Sequence, residues 1–221
     1  MAAIGATVGI TLGITSGGTG SAASVTSGHT FAPISTLGAL RPPPPPGALG
    51  PEGVPVPAAA QLAGTAASTT GRPIDGISCQ TTEQTLFHIH AHLTVFVNGT
   101  PRQIPAGIGI PGAQAQSTAR GSLVSGGTCL YWLHTHAAAG IIHIESPVKR
   151  TYTLGDFFDV WGQRLGPDQV GPSVGHVTAI YDGHAYLGNP RDIPLTAHAQ
   201  IQLEVGRPLI AQQLITFPPG L

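Results

Sequence analysis

The chain has 221 residues, among them 31 glycines and 21 prolines, and its formal net charge is −1. Only 9% of the residues are charged, against about 25% in an average soluble domain. Lys149-Arg150 is the one adjacent basic pair, and nucleic-acid binding needs clustered Lys and Arg to neutralise phosphates. The composition therefore excludes a nucleic-acid partner, and the length suits one full domain or two small ones.

The first 25 residues are small and apolar. Residues 4–14 resemble the apolar core of a signal peptide, and Ser21-Ala22-Ala23 resembles a cleavage site, but the usual positive charge before the core is missing. The apolar run is too short and too rich in Gly and Thr for a spanning helix. We predict a weak signal-like or tether segment over residues 1–25, which implies an extracytoplasmic protein with a possible membrane tether.

Residues 26–73 have the composition of a linker. Five consecutive prolines at 42–46 favour extended polyproline II and exclude a helix. Arg41 and Glu52 are the only charged side chains in the first 71 residues, and such a segment buries too little apolar surface to offset its ordering. We predict a disordered Pro/Gly/Ala-rich linker over 26–73, followed by one folded domain over 74–221.

Within the domain, the first predicted strand covers residues 85–97, TLFHIHAHLTVFV. Asn98-Gly99 after it is a strong two-residue hairpin signal. The return over 102–110 is flanked and interrupted by prolines, so we expect an edge or irregular strand there.

A second hairpin is predicted around residues 137–140. Residues 113–127 are polar and glycine-rich and are expected to form a loop. Two strands follow, at 129–136 (CLYWLHTH) and 141–146 (IIHIES), and the four residues between them make a short turn.

One helix is predicted, at about residues 153–165. Thr153 can cap its N-terminus and Asp156 complements the positive end of its dipole. Gly166-Pro167 is expected to end it. The apolar residues form one stripe at helical spacing, namely Leu154, Phe157, Phe158, Trp161 and Leu165.

The remaining segments are again strand-like. Residues 176–181 and 184–187 flank the turn Asp182-Gly183, and residues 198–205 alternate polar and apolar side chains. Strands before and after a single helix predict an α+β fold, a mainly antiparallel β-sheet with one packed helix. The C-terminal half, 141–206, could form a β-grasp-like roll.

The two cysteines, Cys79 and Cys129, lie beside the histidine segments. In an exported protein the favoured interpretation is a disulfide. A thiolate metal ligand is the alternative, but Cys129 is five residues before His134, and an odd spacing along a strand puts the two side chains on opposite faces.

Six histidines and one glutamate are the candidate site. His88, His90 and His92 alternate along one strand and so share one face, as do His134 and His136 on the next strand. A turn at 137–140 would pair His134 with His143 and put Glu145 on the same face. Cross-strand Cβ atoms are about 4.5–5.5 Å apart, a spacing that suits two imidazoles on one ion.

The histidines predict a divalent metal site for Zn or Cu. The one methionine is the initiator, which excludes a Met-rich Cu(I) site. Two alternatives stay open: a histidine core that only shapes a non-metal binding module, or a pH-sensing cluster. A third is a metal-dependent hydrolase or lyase with Glu145 as base, although the sequence has no HExxH, nucleophile elbow or phosphate loop. Whether residues 88–92 join the hairpin depends on strand order, which the sequence does not determine.

The segments FHIHAHLTVFVNG, IPAGIGI, CLYWLHTHAAAGIIHIESP, TLGDFFDVWG and GNPRDIPL together resemble a family of uncharacterised bacterial exported proteins. The resemblance spans about residues 77–220. It implies a histidine-rich core, a variable low-complexity N-terminal region, and an exported or membrane-tethered protein. It implies no particular activity.

Overall fold

A computed structural model of the chain describes residues 31–65 and 70–221. The signal-like segment predicted over 1–25 lies outside these residues. In the described part strands predominate and there is one α-helix, which agrees with the predicted α+β class. The strands are β1 (Phe31–Pro33), β2 (Cys79–Gln80), β3 (Phe87–Val97), β4 (Thr100–Arg102), β5 (Ala115–Thr118), β6 (Gly121–Val124), β7 (Leu130–Tyr131), β8 (Leu133–His134), β9 (Ile141–Ser146), β10 (Tyr152–Thr153), β11 (Leu165–Gly166), β12 (Gln169–Val170), β13 (Ser173–Val174), β14 (Val177–Tyr181), β15 (His184–Tyr186), β16 (Pro194–Leu195) and β17 (Gln200–Val205). The helices are α1 (Leu154–Trp161) and the short 3-10 turns Ile34–Leu37 and Pro190–Asp192.

The main sheet of the described residues has the strand order β1-β15-β14-β17-β3-β9-β8. Strand β4 pairs with the C-terminal end of β3. The strand pairs of this sheet are antiparallel except β17 with β3, so the mainly antiparallel prediction is confirmed. The β-grasp-like roll is not confirmed, because β3 precedes residues 141–206 and yet lies between β17 and β9.

Strand β3 is buried on both faces from residue 90 to residue 96. Ala91, Leu93 and Val95 point into the main hydrophobic core. Its histidines point to the opposite face, where Ala139 and Ile141 pack with Val54. The sheet therefore separates an apolar core from a second buried layer, and the histidines lie in that layer.

The helix α1 packs on the apolar side of the sheet. Thr153 and Asp156 form the predicted cap, each side chain bonded to the other residue's backbone N–H. The predicted end of the helix at residue 165 is wrong, because α1 ends at Trp161. Gly162 adopts a left-handed conformation with φ 70° and ends the helix there, as glycine does at many helix ends, and Leu165 belongs to β11.

The hairpin of β8 and β9 has the register expected from its turn, with His134 opposite His143. Gly140 in this turn has φ 82°, and a Cβ there would lie 2.2 Å from the Leu93 carbonyl oxygen. Glycine thus lets the turn approach β3. The predicted strand 129–136 is interrupted at Trp132, and the loop expected at 113–127 contains the hairpin β5–β6.

The segment predicted as a disordered linker differs from that prediction over its described residues. There, residues 31–65 pack along the domain: β1 pairs with β15, and Val54 and Leu62 are buried. The C-terminal segment, residues 209–221, lies beside it, and Gln213 Nε2 donates to the Pro44 carbonyl oxygen at 2.7 Å. The low charge suggested disorder, but the apolar side chains of this segment cover the second face of the sheet.

Cys79 and Cys129 form a disulfide across a separation of 50 residues, as predicted. It joins the short strand β2, which pairs with β7, to the residue just before β7. The thiolate-ligand alternative is thereby excluded. Among the helices of residues 31–65 and 70–221, none has the length and apolar character needed to cross a membrane.

We expect the double variant Cys79→Ala/Cys129→Ala to lower the free energy of unfolding by about 4 kcal/mol, because it removes the restraint on a 50-residue loop of the unfolded chain. Guanidinium denaturation of the oxidised protein and the variant measures the difference. Dithiothreitol should destabilise the native protein but not the variant. Two free thiols in denatured, unreduced protein would contradict the disulfide.

Candidate metal centre

Strand β9 is the centre of the histidine layer, because it pairs with β3 on one edge and β8 on the other. On the β3 side His90 lies opposite His143, and His88 opposite Glu145. On the β8 side His134 lies opposite His143. The question left open by the sequence is thus answered: the strand 85–97 histidines do reach the hairpin.

One group of side chains, here called the first ligand set, comprises His88, His90, His143 and Glu145. His90 Nε2 is 3.1 Å from both His88 Nε2 and His143 Nδ1. Glu145 Oε1 is 3.3 Å from His88 Nε2 and 3.4 Å from His143 Nδ1. These four atoms all lie within 4.8 Å of one another and could hold a metal ion.

The second ligand set comprises His134, His136, His143 and Glu145. His134 Nε2 is 3.2 Å from His136 Nε2 and 3.9 Å from Glu145 Oε2. His143 and Glu145 belong to both sets, so the two sets adjoin each other.

Backbone carbonyls determine which ring nitrogens of His134 and His136 bear hydrogen. His134 Nδ1 is 2.8 Å from the Tyr131 carbonyl oxygen, and His136 Nδ1 is 2.5 Å from that of Val124. A carbonyl only accepts, so both Nδ1 atoms must be N–H donors. In the neutral rings both Nε2 atoms then present lone pairs to each other. This is the arrangement seen in metal-binding histidines, whose second nitrogen donates to a carbonyl or carboxylate.

The hairpin β5–β6, which lies in the segment expected to form a loop, holds His136 in place. The backbone N–H of Val124 donates to the His136 carbonyl oxygen at 2.9 Å, in addition to the ring contact with the Val124 carbonyl. The neighbouring Thr135 is buried and donates its hydroxyl to the Pro105 carbonyl oxygen. His136 is therefore positioned from both sides.

Glu52 is a site residue that the sequence pattern does not predict. His143 Nε2 donates to Glu52 Oε1 at 2.7 Å, across 91 residues of sequence. Glu52 lies in the segment predicted as a linker. The sequence feature that could have indicated its role is that it is the only acidic residue among the first 71. The Glu52 carboxylate thereby orients the His143 ring so that Nδ1 faces His90 and Glu145.

The electrostatics of the layer favour the neutral form of the buried residues His90, His92 and His134. Burial lowers the pKa of His90 to about 3, helped by the charges of His143 and His88. Burial, followed by the charges of His143 and His136, lowers the pKa of His134. His143 is the exception: burial alone would lower its pKa, but hydrogen bonds and charge from Glu145 and Glu52 raise it to about 9.

Two buried carboxylate oxygens, Glu145 Oε2 and Glu52 Oε2, have no hydrogen-bond partner among the described residues. A buried, unpaired carboxylate oxygen is costly, and such groups are normally paired or bound to a metal. Glu145 Oε2 points towards His134 Nε2, which offers a lone pair rather than a proton. A cation between them would satisfy both atoms.

His92 is not brought into either ligand set, although it shares the strand face of His88 and His90. Its Nε2 donates to the Ala139 carbonyl oxygen at 3.0 Å, and burial lowers its pKa to about 4. His92 thus holds the turn before β9 against β3. The ligands assigned from the sequence are otherwise close together.

The site has two openings. His88 has a side chain that is 39% exposed at one end. At the other, a cavity of about 560 Å³ is bordered by His136 and His143 together with Glu83 and Arg120. Glu83 Oε1 is 3.6 Å from His136 Nε2. The centre is therefore buried but accessible.

No protein-family model matches the chain, and neither the curated proteins nor the solved structures contain a match. The assignment of the site therefore rests on its geometry.

We expect the metal-free protein to lose stability as the pH falls from 6.5 to 4. Unfolded histidine binds a proton near pH 6.5, whereas folded His92 resists protonation down to about 4, so acid favours the unfolded chain. The slope should be about 1.4 kcal/mol per pH unit for each such histidine. Denaturation over this range should show a smaller slope for His92→Gln and an unchanged slope for the exposed control His184→Gln. Identical slopes in all three proteins would contradict the burial of a neutral His92.

Proposed function

We propose that the protein is an exported metal-binding domain that holds Zn²⁺ through His88, His90, His143 and Glu145. The observation behind the proposal is the spacing of the four donor atoms, 3.1, 3.1, 3.3 and 3.4 Å along four edges of the set. Zinc bonds of about 2.0–2.1 Å in a regular tetrahedron give edges of about 3.3–3.4 Å. Four of the six distances among three nitrogens and one oxygen are thus close to the ligand–ligand distances of a zinc site, and all four atoms lie within 4.8 Å of one another.

We propose Zn²⁺ rather than Cu²⁺ because zinc accepts nitrogen and oxygen ligands without a geometric preference from its d electrons, whereas Cu²⁺ prefers a tetragonal plane.

A purely structural histidine core explains the contacts less well. Neutral imidazoles bond each other only if one gives a hydrogen, and in His134 and His136 that hydrogen already lies on Nδ1. Their Nε2 atoms at 3.2 Å would then repel. A cation bound to the second ligand set would turn this repulsion into attraction and would also pair Glu145 Oε2.

Export is supported by the disulfide, since disulfides persist mainly in oxidising compartments. The resemblance to exported bacterial proteins and the signal-like residues 1–25 are expectations from the sequence that point the same way. The protein would then bind its metal outside the cytoplasm.

A metal-dependent hydrolase or lyase is the second candidate, favoured by the cavity beside His136 and His143. Glu145 is unsuited to the role of base, because it is buried between the histidines as a ligand. Glu83 borders the cavity, so it would be the acid–base residue.

We expect His90→Gln to weaken the tightest Zn²⁺ site at least 100-fold, because it removes one of four ligands. The matched variant His92→Gln, two residues along the same face, should leave that affinity within threefold, since glutamine can still donate to Ala139. Competition with a chromophoric zinc chelator, on protein purified without a histidine tag, measures both.

Metal analysis of the wild-type protein after dialysis against a weak chelator is the control. Less than about 0.2 ion per chain would contradict the proposal. Equal losses of zinc affinity in His90→Gln and His92→Gln would also contradict it. Circular dichroism of both variants shows whether each has kept the fold.

We expect Glu52→Gln to weaken zinc binding about 10- to 100-fold without removing a ligand. The carboxylate orients His143 and increases the basicity of its Nδ1, and partners of this kind have effects of that size. Glu83→Gln should leave the tightest site unchanged, because Glu83 contacts His136 and not the first ligand set. An unaltered dissociation constant in Glu52→Gln would show that the contact does not support the metal.

A further inference from the structure

We propose a second divalent ion, held by His134, His136 and Glu145, so that Glu145 bridges two metals. This rests on the proposed function, since it assumes that the first ligand set binds its own ion. The second ion would be the more open of the two and would face the cavity beside His136.

The Glu145 carboxylate has the geometry of a bridge. Oε1 lies 3.3 Å from His88 Nε2 and 3.4 Å from His143 Nδ1, within the first ligand set. Oε2 points the other way, 3.9 Å from His134 Nε2. A single ion at the first set would leave Oε2 buried and unpaired within the described part of the chain, whereas a second ion gives it a partner.

His134 and His136 are prepared for an ion independently of the first set. Their Nδ1 atoms donate to the carbonyls of Tyr131 and Val124, so each Nε2 presents a lone pair. The two Nε2 atoms are 3.2 Å apart. With zinc bonds of about 2.05 Å this separation corresponds to an N–Zn–N angle of about 103°, near the tetrahedral value.

His143 can serve only one of the two ions. Its Nε2 donates to Glu52, which leaves Nδ1 as the ligand, and Nδ1 is 3.1 Å from His90 Nε2. The second ion then has three protein ligands, with Glu83 close to His136 and a position towards the cavity. Three protein ligands and one open position are typical of catalytic rather than structural zinc.

The open position of the second ion adjoins the charged border of the cavity. Glu83, whose side chain is 46% exposed, lies with its Oε1 3.6 Å from His136 Nε2, and Arg120 borders the same cavity. A water held by the second ion would release a proton to solvent as it becomes hydroxide. The open position would therefore take hydroxide or an anionic oxygen ligand.

The test is the stoichiometry of bound zinc, measured by elemental analysis after equilibrium dialysis at fixed free Zn²⁺. We expect two ions in the wild-type protein, one in His134→Gln/His136→Gln and one in His88→Gln/His90→Gln. His92→Gln is the matched control and should retain two. Titration of the wild-type chain with Co²⁺, followed by its visible absorption, should saturate at two equivalents.

The outcomes separate the two proposals. One ion in the wild-type protein, kept in His134→Gln/His136→Gln and lost in His88→Gln/His90→Gln, would overturn the bridged pair and leave the proposed function standing. No bound ion would overturn both. Should the double variants fail to fold, the Co²⁺ titration decides alone, because saturation at one equivalent contradicts a second site.

Discussion

The antiparallel pairing of β9 with β3 on one edge and β8 on the other is the constraint on which the site depends. It brings His143 opposite both His90 and His134, and Glu145 opposite His88. A shift of one residue in either pairing would turn every histidine of that strand towards the apolar core. The core residues Ala91, Leu93 and Ile144 on the other face therefore protect the register, and with it the ligand geometry.

Burial of the layer explains why its carboxylates and imidazoles interact strongly. Residues 31–65 and 209–221 cover the face of the sheet that the helix does not, and Val54, Ala139 and Ile141 form a small apolar cluster there. Water is thereby displaced from around His134 and Glu145, both nearly inaccessible. In such surroundings an unpaired charge is costly, and a bound cation is correspondingly favoured.

Much of the site could be predicted from local pattern. The period of two assigned His88 and His90 to one face, and the four-residue turn determined that His134 pairs with His143. Strand order was beyond reach, because the contact of β3 with β9 joins residues about fifty positions apart and no local signal specifies it. The pattern also assigns His92 to the ligands, because its side chain leaves the same face of the strand. Its ring nitrogen instead contacts the backbone of the turn, whose position the pattern does not specify.

The errors elsewhere have a common physical origin. Gly162 ends the helix because its backbone is left-handed, whereas the apolar stripe continues to Leu165 and suggested a longer helix. Residues 31–65 have few charges and many prolines, which is also the composition of a segment that lies flat on an apolar face without forming a helix or long strand. Composition does not distinguish a disordered linker from a segment that packs in this way. The role of Glu52 is therefore not predictable from composition.

The contact between His143 and Glu52 has a thermodynamic consequence for the whole N-terminal segment. The carboxylate that orients His143 belongs to a stretch of chain whose backbone hydrogen bonds include one from the Arg41 N–H to the Leu209 carbonyl oxygen of the C-terminal segment. Under the proposed function, affinity for the ion and attachment of this stretch would be reciprocally linked, because each would strengthen the other by the same free energy. Occupancy of the centre would be communicated to residues far outside the coordination sphere, so metal availability could set how tightly the polyproline stretch is held against the domain.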